Sequence, residues 1–160
     1  MEEARTAIDL LAGPLQFISV AAWGMLVGSM LTEGMILVPY WRSLSPTEFF
    51  SWYAANDRRL LAFFAPLTSI AALSTVAAAG VSLWIARPGR WYALVAAILS
   101  AVVVSMFPLY FQRANARFSA AGIPAGDLAA ELARWAAWHR VRSGLGVVAL
   151  TAALLGMSIG

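Results

Sequence analysis

The segment Leu60–Ala86, LLAFFAPLTSIAALSTVAAAGVSLWIA, runs for 27 residues without a charged side chain. A helix rises about 1.5 Å per residue, so about 20 apolar residues cross the hydrocarbon core of a bilayer. Three further apolar segments meet or approach this length: Leu15–Val38, Trp91–Phe111 and Ser143–Gly160. The sequence therefore predicts an all-α fold, a four-helix transmembrane bundle that forms one domain over residues 1–160.

The composition supports a membrane protein. Hydrophobic residues make up 61% of the chain and charged residues 12%, against about 25% charged in soluble domains. We expect an integral protein of a bacterial inner (plasma) membrane, without a cleaved signal peptide because the start, MEEARTAIDLLAGP, lacks a basic region. The absence of cysteine excludes disulfides, thiolate metal sites and iron–sulfur clusters. The net charge of +3 is scattered, so no nucleic-acid partner is expected.

Two helices are predicted to extend beyond their apolar segments. Ser45-Pro46-Thr47-Glu48 is typical of a capping box with proline at the first helical position. A helix that begins there runs without a break into the second span. Gly126-Asp127 is a plausible N-cap for a long final helix. We therefore expect helices 2 and 4 to protrude on one side of the bundle, while Pro39 closes the first span.

The arginines predict an orientation. Eight lie between spans one and two or between spans three and four, and three lie on the opposite side. The positive-inside rule then places the arginine-rich side in the cytoplasm and both termini outside. The eight are Arg42, Arg58, Arg59, Arg113, Arg117, Arg134, Arg140 and Arg142, and the three are Arg5, Arg87 and Arg90.

Polar and aromatic residues gather on the same side of the predicted membrane. His139 and Arg142 share one helix face because they lie three residues apart, near the mouth of the last span. Helical spacing aligns three stripes, which are Trp23/Val27/Met30/Glu33/Leu37, Phe49/Trp52/Asn56/Arg59/Phe63 and Glu131/Trp135/Trp138/Arg142. Titratable and aromatic groups at one end of an apolar bundle are typical of a small-molecule pocket.

Each of these residues also has a purely structural interpretation. Glu33 either takes part in function or pairs with Arg59 or Arg142 to fix the helix register. His139 is either a buried hydrogen-bond donor or a base, since histidine exchanges a proton near neutral pH. No second histidine or nearby carboxylate stands at ligand spacing, so neither a metal nor a cofactor is expected. Trp23, Trp84 and Trp91 are interpreted as interface or lipid-facing residues, and Gly24/Gly28 as a close helix contact.

Three places in the chain resemble the anthrone-oxygenase-like family of small four-helix membrane proteins. They are Gly34 through Pro39 with Trp41 and Leu44-Ser45-Pro46, then Ala55-Asn56 ahead of Phe64-Ala65-Pro66, and last Phe107-Pro108-Leu109 followed by Trp135, Trp138, His139 and Arg142. The resemblance covers most of the chain through short motifs. The chain departs from many members at Tyr110 and His139, where they have asparagine.

The resemblance implies oxidation of a lipophilic polycyclic phenol, such as an anthrone, by molecular oxygen without a cofactor. His139 would be the base, and Arg142 and Asn56 would stabilise the negative charge of the deprotonated substrate. The residues expected to contact the substrate are Glu33, Trp52, Arg59, Tyr110, Trp135 and Trp138.

Two other functions are compatible with the sequence. One is an accessory structural subunit of a larger respiratory, photosynthetic or transport complex. The other is a carrier of lipophilic molecules in which Glu33 and His139 couple transport to protons. The partners expected from the sequence are the lipid bilayer and a lipophilic small molecule, with a homo-oligomer or larger membrane complex as an open alternative.

Overall fold

Helices form nearly all of the computed structural model, which describes the backbone of residues 2–159 and the side chains of residues 10–159. In chain order they are α1 (Glu2–Thr32), α2 (Val38–Ser43), α3 (Pro46–Trp84), α4 (Arg90–Met106), α5 (Gln112–Ser119) and α6 (Leu128–Ile159). The side chain of Arg5 and the last residue of the predicted fourth span, Gly160, lie outside the described residues.

The helices build four continuous rods that are long and apolar enough to cross a membrane. These rods are Leu10–Ser43, Pro46–Trp84, Arg90–Ser119 and Ala125–Ile159. α1 packs against α3 and α6, and α4 packs against the same two helices. Short connections join successive rods, so the bundle is a closed ring with up-down-up-down topology. The predicted all-α four-helix bundle is confirmed, and the chain is a membrane protein.

Two π turns extend the first and third rods past their predicted ends. The turn Glu33–Leu37 joins α1 to α2, and Phe107–Phe111 joins α4 to α5. The prediction that Pro39 closes the first helix is wrong, because the helix continues to Ser43. Proline lacks an N–H and clashes with the carbonyl four residues earlier, and a widened turn relieves both constraints. Pro39 follows one π turn and Pro108 lies in the other.

The starts of the two extended helices agree with the sequence. The Ser45 side chain accepts a hydrogen bond from the backbone of Glu48, whose carboxylate accepts one from the Ser45 backbone, which completes the capping box. α3 then runs unbroken for 39 residues. α6 begins at Leu128, directly after a 3₁₀ turn at Ala125–Asp127. Both long helices were therefore predictable from local sequence.

The core changes in character along the bundle. At the end with the connections 44–45 and 120–124, here called the loop end, large aromatic side chains fill the core: Trp41, Phe49, Tyr53, Phe111, Phe118 and Trp135. At the end with the connection 85–89, here called the turn end, the core consists of alanines. Trp23 is buried in the middle of the bundle, so its predicted interface position is wrong. Trp84 and Trp91 are exposed, in agreement with the sequence.

Hydroxyl and amide groups join α1 to α3 between the middle and the turn end. Ser19 Oγ lies 2.6 Å from Thr75 Oγ1, which also accepts the Trp23 indole N–H at 2.9 Å. Gln16 donates to Ser82 Oγ at 3.3 Å. Gln16, Ser19 and Thr75 line a cavity of about 10 Å³, about the space of one water molecule. The contacts satisfy buried polar side chains and fix the register of the two helices.

We expect the substitution Gly89→Ala to destabilise the bundle. A β-carbon at Gly89 would collide with the backbone carbonyl oxygen of Gly156 on α6, and backbone cannot move aside as a side chain can. Overpacking of this kind costs about 1–3 kcal/mol. Thermal unfolding in detergent should show a melting temperature lower by about 5 °C or more.

Gly80→Ala is the matched control for this prediction. Gly80 lies inside α3, and a β-carbon there would meet nothing within 4 Å. Because alanine favours a helix over glycine by about 1 kcal/mol, the control should unfold at the same temperature or slightly higher. Equal losses in the two variants would contradict the close approach of Gly89 to Gly156.

Candidate functional site

A buried polar network joins the first rod to α6 in the loop-end half of the bundle. Arg142 Nη2 donates to Glu33 Oε2 at 3.3 Å and to His139 Nδ1 at 2.9 Å. Glu33 Oε2 lies 3.6 Å from His139 Nδ1. One guanidinium nitrogen thus bridges a carboxylate and an imidazole. Of the two arginines predicted as partners of Glu33, Arg142 is the one that pairs with it.

The contacts of His139 determine which ring nitrogen carries the proton. Nε2 lies 2.8 Å from the backbone oxygen of Met30, and a carbonyl oxygen only accepts hydrogen bonds. Nε2 must therefore be the donor. Nδ1 faces Arg142, which only donates, so Nδ1 carries no proton. These contacts favour the Nε2–H tautomer of His139, whose Nδ1 lone pair accepts the Arg142 N–H and lies near Glu33.

The network lies in a tightly packed environment. Glu33 and His139 are buried, and the Arg142 side chain is the most accessible of the three at 16%. The Arg142 guanidinium carbon lies 4.2 Å from the centre of the Phe111 ring, a cation–π contact. A β-carbon at Gly34 would approach the imidazole to 3.3 Å, so the small residue lets His139 pack against the π turn.

Both π turns contribute to this site. Glu33 is the first residue of one, and Phe111 is the last residue of the other. A π turn shifts the following residues around the helix axis and is frequent at functional sites. The two widened turns thus carry the carboxylate and the aromatic ring that contact the Arg142 guanidinium.

Aromatic rings hold the imidazole from the loop end. Trp135 stacks on His139 with ring centres 4.9 Å apart and an interplanar angle of 12°. The Trp135 indole N–H donates to Asn115 Oδ1 at 2.9 Å, and Trp41 packs edge-on against the same indole ring of Trp135. Trp135 was predicted to contact substrate. In the structure it is buried and orients His139.

Two buried N–H groups near the network find no acceptor among residues 10–159. They are Arg142 Nε and Trp41 Nε1. A buried donor without a partner costs about 1–3 kcal/mol, so such groups usually have a specific reason. The Arg142 guanidinium therefore keeps one buried N–H that could donate to a further group at this site.

A second polar cluster lies further towards the loop end, centred on Glu131, which precedes His139 by about two turns of α6. Tyr110 donates to Glu131 Oε1 at 3.2 Å, and Arg117 and Arg134 lie 3.7 and 3.4 Å from Glu131 Oε2. Tyr110 also stacks on Trp138, with ring centres 5.1 Å apart. Trp138 remains 39% exposed on the outside of the bundle. Of the predicted substrate contacts, Tyr110 and Trp138 therefore form a surface pair.

The predicted stripe on α3 turns away from this site. Asn56 donates its amide N–H to the Trp52 backbone oxygen at 2.8 Å, and Arg59 is exposed. Neither makes a hydrogen bond or ion pair with Glu33, His139 or Arg142. Trp52 packs at its edge against Tyr40 and lies tilted on Trp41. In the loop-end half of this helix, the buried residues are Phe49, which begins the stripe, and Tyr53 one turn later. The roles predicted for Asn56, Arg59 and Trp52 stay predictions.

Sequence reasoning missed four contributors to the site. They are the Met30 carbonyl, Ser143 with its Oγ 3.4 Å from His139 Nε2, and the Phe111 and Trp41 rings. Ser143 was detectable, since it lies four residues after His139 on the same helix face. The other three depend on the π turns and on the order of helices in space, which local patterns do not reveal.

The network combines side chains that donate and accept hydrogen bonds. Within residues 10–159, no group of three or more His, Asp or Glu side chains stands close enough to hold a metal ion. Glu33 supplies an anion, Arg142 a cation and His139 an unprotonated nitrogen. Such a set can accept a proton and stabilise the negative charge left behind.

The fold and the network define a class: a four-helix membrane protein with a buried Glu–Arg–His site. No protein-family model, no curated protein and no solved structure matches the chain. The resemblance to anthrone-oxygenase-like proteins therefore rests on the short motifs quoted above.

Proposed function

We propose that this protein is a membrane-embedded oxygenase-like enzyme that acts without a cofactor on a lipophilic polycyclic phenol such as an anthrone. The observation that carries the proposal is the tautomer of His139 and the groups that its two ring nitrogens face. Its Nε2–H is fixed by the Met30 carbonyl, and its unprotonated Nδ1 faces a guanidinium and a carboxylate. A base needs an unprotonated nitrogen that is held in place, and His139 Nδ1 is one, bound by the Arg142 N–H until a substrate takes its place.

The substrate would take the place of Arg142 at His139 Nδ1. Arg142 is the most accessible member of the network and also pairs with Glu33, so it can leave the imidazole without losing its counter-ion. After proton transfer, the imidazolium at Nδ1 faces Glu33 Oε2, 3.6 Å away, which stabilises the new positive charge. The displaced guanidinium, with its unpaired Nε–H, then faces the enolate or phenolate oxygen.

The overall reaction balances with molecular oxygen as the only oxidant. An anthrone loses both hydrogens of its methylene carbon, which gains one oxygen atom and becomes a carbonyl. The other oxygen atom leaves as water with those two hydrogens. The enolate transfers one electron to dioxygen, the two radicals combine at carbon, and the hydroperoxide loses water. The protein supplies the deprotonation and the stabilisation of charge.

The test is oxygen uptake by the purified protein in detergent, presented with an anthrone. We expect uptake above the spontaneous rate, one dioxygen consumed per anthrone, and the anthraquinone as product. A rate equal to that of detergent alone would contradict the proposal. Release of hydrogen peroxide in place of water would contradict the balanced reaction.

Trp138 marks the route by which a flat substrate would enter from the bilayer. It lies four residues before Arg142 on the same face of α6 and is 39% exposed. A ring system that lies against the Trp138–Tyr110 pair would direct its oxygen towards the guanidinium. A lipophilic substrate would then enter sideways, without passing through the aromatic core.

We expect Trp138→Ala to raise the KM for an anthrone by about threefold to tenfold and to change kcat little. An aromatic contact contributes about 0.5–1.5 kcal/mol, which corresponds to that factor. The control is Trp84→Ala, because Trp84 is 77% exposed at the turn end and should leave both constants unchanged. Similar effects of the two substitutions would contradict entry beside Trp138.

The bacterial plasma membrane is part of the same proposal. The arginine-rich loop end would face the cytoplasm, as the positive-inside rule predicts. Cysteine-accessibility labelling of single-cysteine variants in cells tests this orientation, since the natural chain has no cysteine. Labelling from outside at the connection 120–124 would contradict it.

A second candidate function, an accessory subunit of a larger membrane complex, is favoured by one observation. Gly24 and Gly28 lie on the exposed face of α1, and β-carbons there would meet nothing within 4 Å. The close contact predicted for this motif is therefore not made among residues 10–159. A small-xxx-small face lets another transmembrane helix approach closely. Co-migration with fixed partners in mild detergent, lost in Gly24→Leu, would support this function.

A further inference from the structure

Two exposed arginines converge on one buried carboxylate at the loop end. Arg117 Nη1 and Arg134 Nη1 lie 3.7 and 3.4 Å from the same oxygen of Glu131. Their side chains are 44% and 61% accessible, whereas Glu131 is buried. The other Glu131 oxygen accepts the Tyr110 hydroxyl. Glu131 thus holds the two guanidinium groups near each other while they remain open to the outside.

The positive charge of this cluster is not neutralised. One carboxylate faces two guanidinium groups, and Arg113, one turn before Arg117 on α5, is exposed and makes no ion pair with residues 10–159. The loop-end half as a whole is also positively charged. Apart from Glu33 and Arg142, it contains seven exposed arginines and four carboxylates, and this excess equals the net charge of +3 of the chain. The seven are Arg42, Arg58, Arg59, Arg113, Arg117, Arg134 and Arg140.

An apolar lateral surface begins beside the cluster. Tyr110, which binds Glu131, stacks on the exposed Trp138. Leu109 and Val141 are exposed on the neighbouring turns of the same two rods. Tryptophan and tyrosine are enriched where a membrane protein meets the lipid headgroups. The arginine pair therefore adjoins a surface suited to acyl chains.

We propose that Arg117 and Arg134 bind the phosphate of an anionic phospholipid, with the Tyr110–Trp138 pair against its glycerol and upper acyl chains. Guanidinium groups bind phosphate oxygens through paired, charge-assisted hydrogen bonds. A soluble phosphate would use only the arginines, whereas a lipid uses both the arginines and the apolar surface beside them. The site shares the Tyr110–Trp138 pair with the proposed substrate entry. Lipid retention is measured without an anthrone, so its outcome does not depend on oxygenase activity.

Native mass spectrometry of the full chain in detergent tests the site. The probe is an equimolar mixture of phosphatidylglycerol and phosphatidylcholine with the same oleoyl chains. We expect the protein to retain phosphatidylglycerol over phosphatidylcholine by about tenfold, since each basic residue near a membrane surface contributes about 1 kcal/mol. In R117Q/R134Q the preference should fall to about twofold or less.

The double variant R58Q/R59Q is the matched control. It removes the same charge from exposed arginines of α3 that make no ion pair with residues 10–159, and it should keep the preference. Equal losses in both variants would show diffuse attraction and overturn the site. Displacement of the lipid by millimolar inorganic phosphate would overturn the assignment to a lipid.

The variant E131Q tests the site even where loss of arginine impairs folding. It removes the one neutralising charge, while the amide oxygen of glutamine can still accept hydrogen bonds from both guanidinium groups and hold them together. Phosphatidylglycerol retention should therefore rise by a few-fold. A folded E131Q protein that retains less of this lipid than the natural chain would overturn the proposal. Circular dichroism of each variant verifies the helical fold.

Discussion

Replacing His139 with glutamine is expected to lower the rate of anthrone oxidation by about 10²–10⁴-fold while the protein stays folded. This factor is the usual contribution of a positioned general base. The glutamine amide N–H can still donate to the Met30 carbonyl, which the imidazole Nε2 does at 2.8 Å. It has no basic nitrogen at the position of Nδ1. Oxygen uptake with an anthrone measures the effect.

The comparison with Ser143→Ala separates the base from the surrounding packing. Ser143 Oγ lies 3.4 Å from His139 Nε2, the nitrogen that the proposal gives no catalytic role. This variant should retain most of the activity. If His139→Gln kept the natural rate, His139 would be only a buried structural donor. If Ser143→Ala lost as much as His139→Gln, the packing of the imidazole and not its basicity would govern the rate.

Replacing Arg142 with methionine is expected to destabilise the fold by about 3–5 kcal/mol, the cost of removing one member of a buried ion pair. Glu33 would then keep a carboxylate in an apolar setting without a cation, and His139 Nδ1 would lose its donor. The Arg142 stem and guanidinium also pack on the Phe111 ring, which methionine replaces only in part. Reversible unfolding in mixed micelles measures the free energy.

The double variant Glu33→Met with Arg142→Met should recover much of this loss. Replacing both members of a buried ion pair with apolar residues is often neutral, because the desolvation cost disappears with the attraction. We expect the double variant to be more stable than Arg142→Met by about 2 kcal/mol or more. A loss of stability in the double variant equal to the sum of the losses in Glu33→Met and Arg142→Met would show that Glu33 and Arg142 do not act as a pair. Both variants should lack oxygenase activity.

Local sequence patterns predicted where the helices occur more accurately than the residues at which they end. The capping box at Ser45 determined where α3 begins, because its hydrogen bonds form within four residues. The predicted end of the first rod was wrong, because a proline normally stops a helix, and here a π turn allows the helix to continue. No local pattern separates a proline after a π turn from a terminating one. The third rod was predicted too short for the same reason.

The candidate site was predictable where its residues share one helix. His139 and Arg142 lie three residues apart on α6, so their contact follows from helical geometry. The stripe on α1 correctly marked Glu33 as facing inwards. On α3, Asn56 and Arg59 make no hydrogen bond or ion pair with this network, since polar residues are as frequent on an outer face near headgroups as in a pocket. Of that stripe only Phe49 is buried, together with Tyr53 one turn later.

By itself, the sequence determined that this chain forms four apolar helices, because 61% hydrophobic residues in runs of membrane length have no other stable arrangement in a bilayer. It also determined the capped start of α3 and the inward-facing histidine. Only the tertiary structure decided that Glu33 meets Arg142 and not Arg59, and that the Met30 carbonyl holds the imidazole. Those contacts join residues 109 positions apart, so they form only once the first rod packs beside α6.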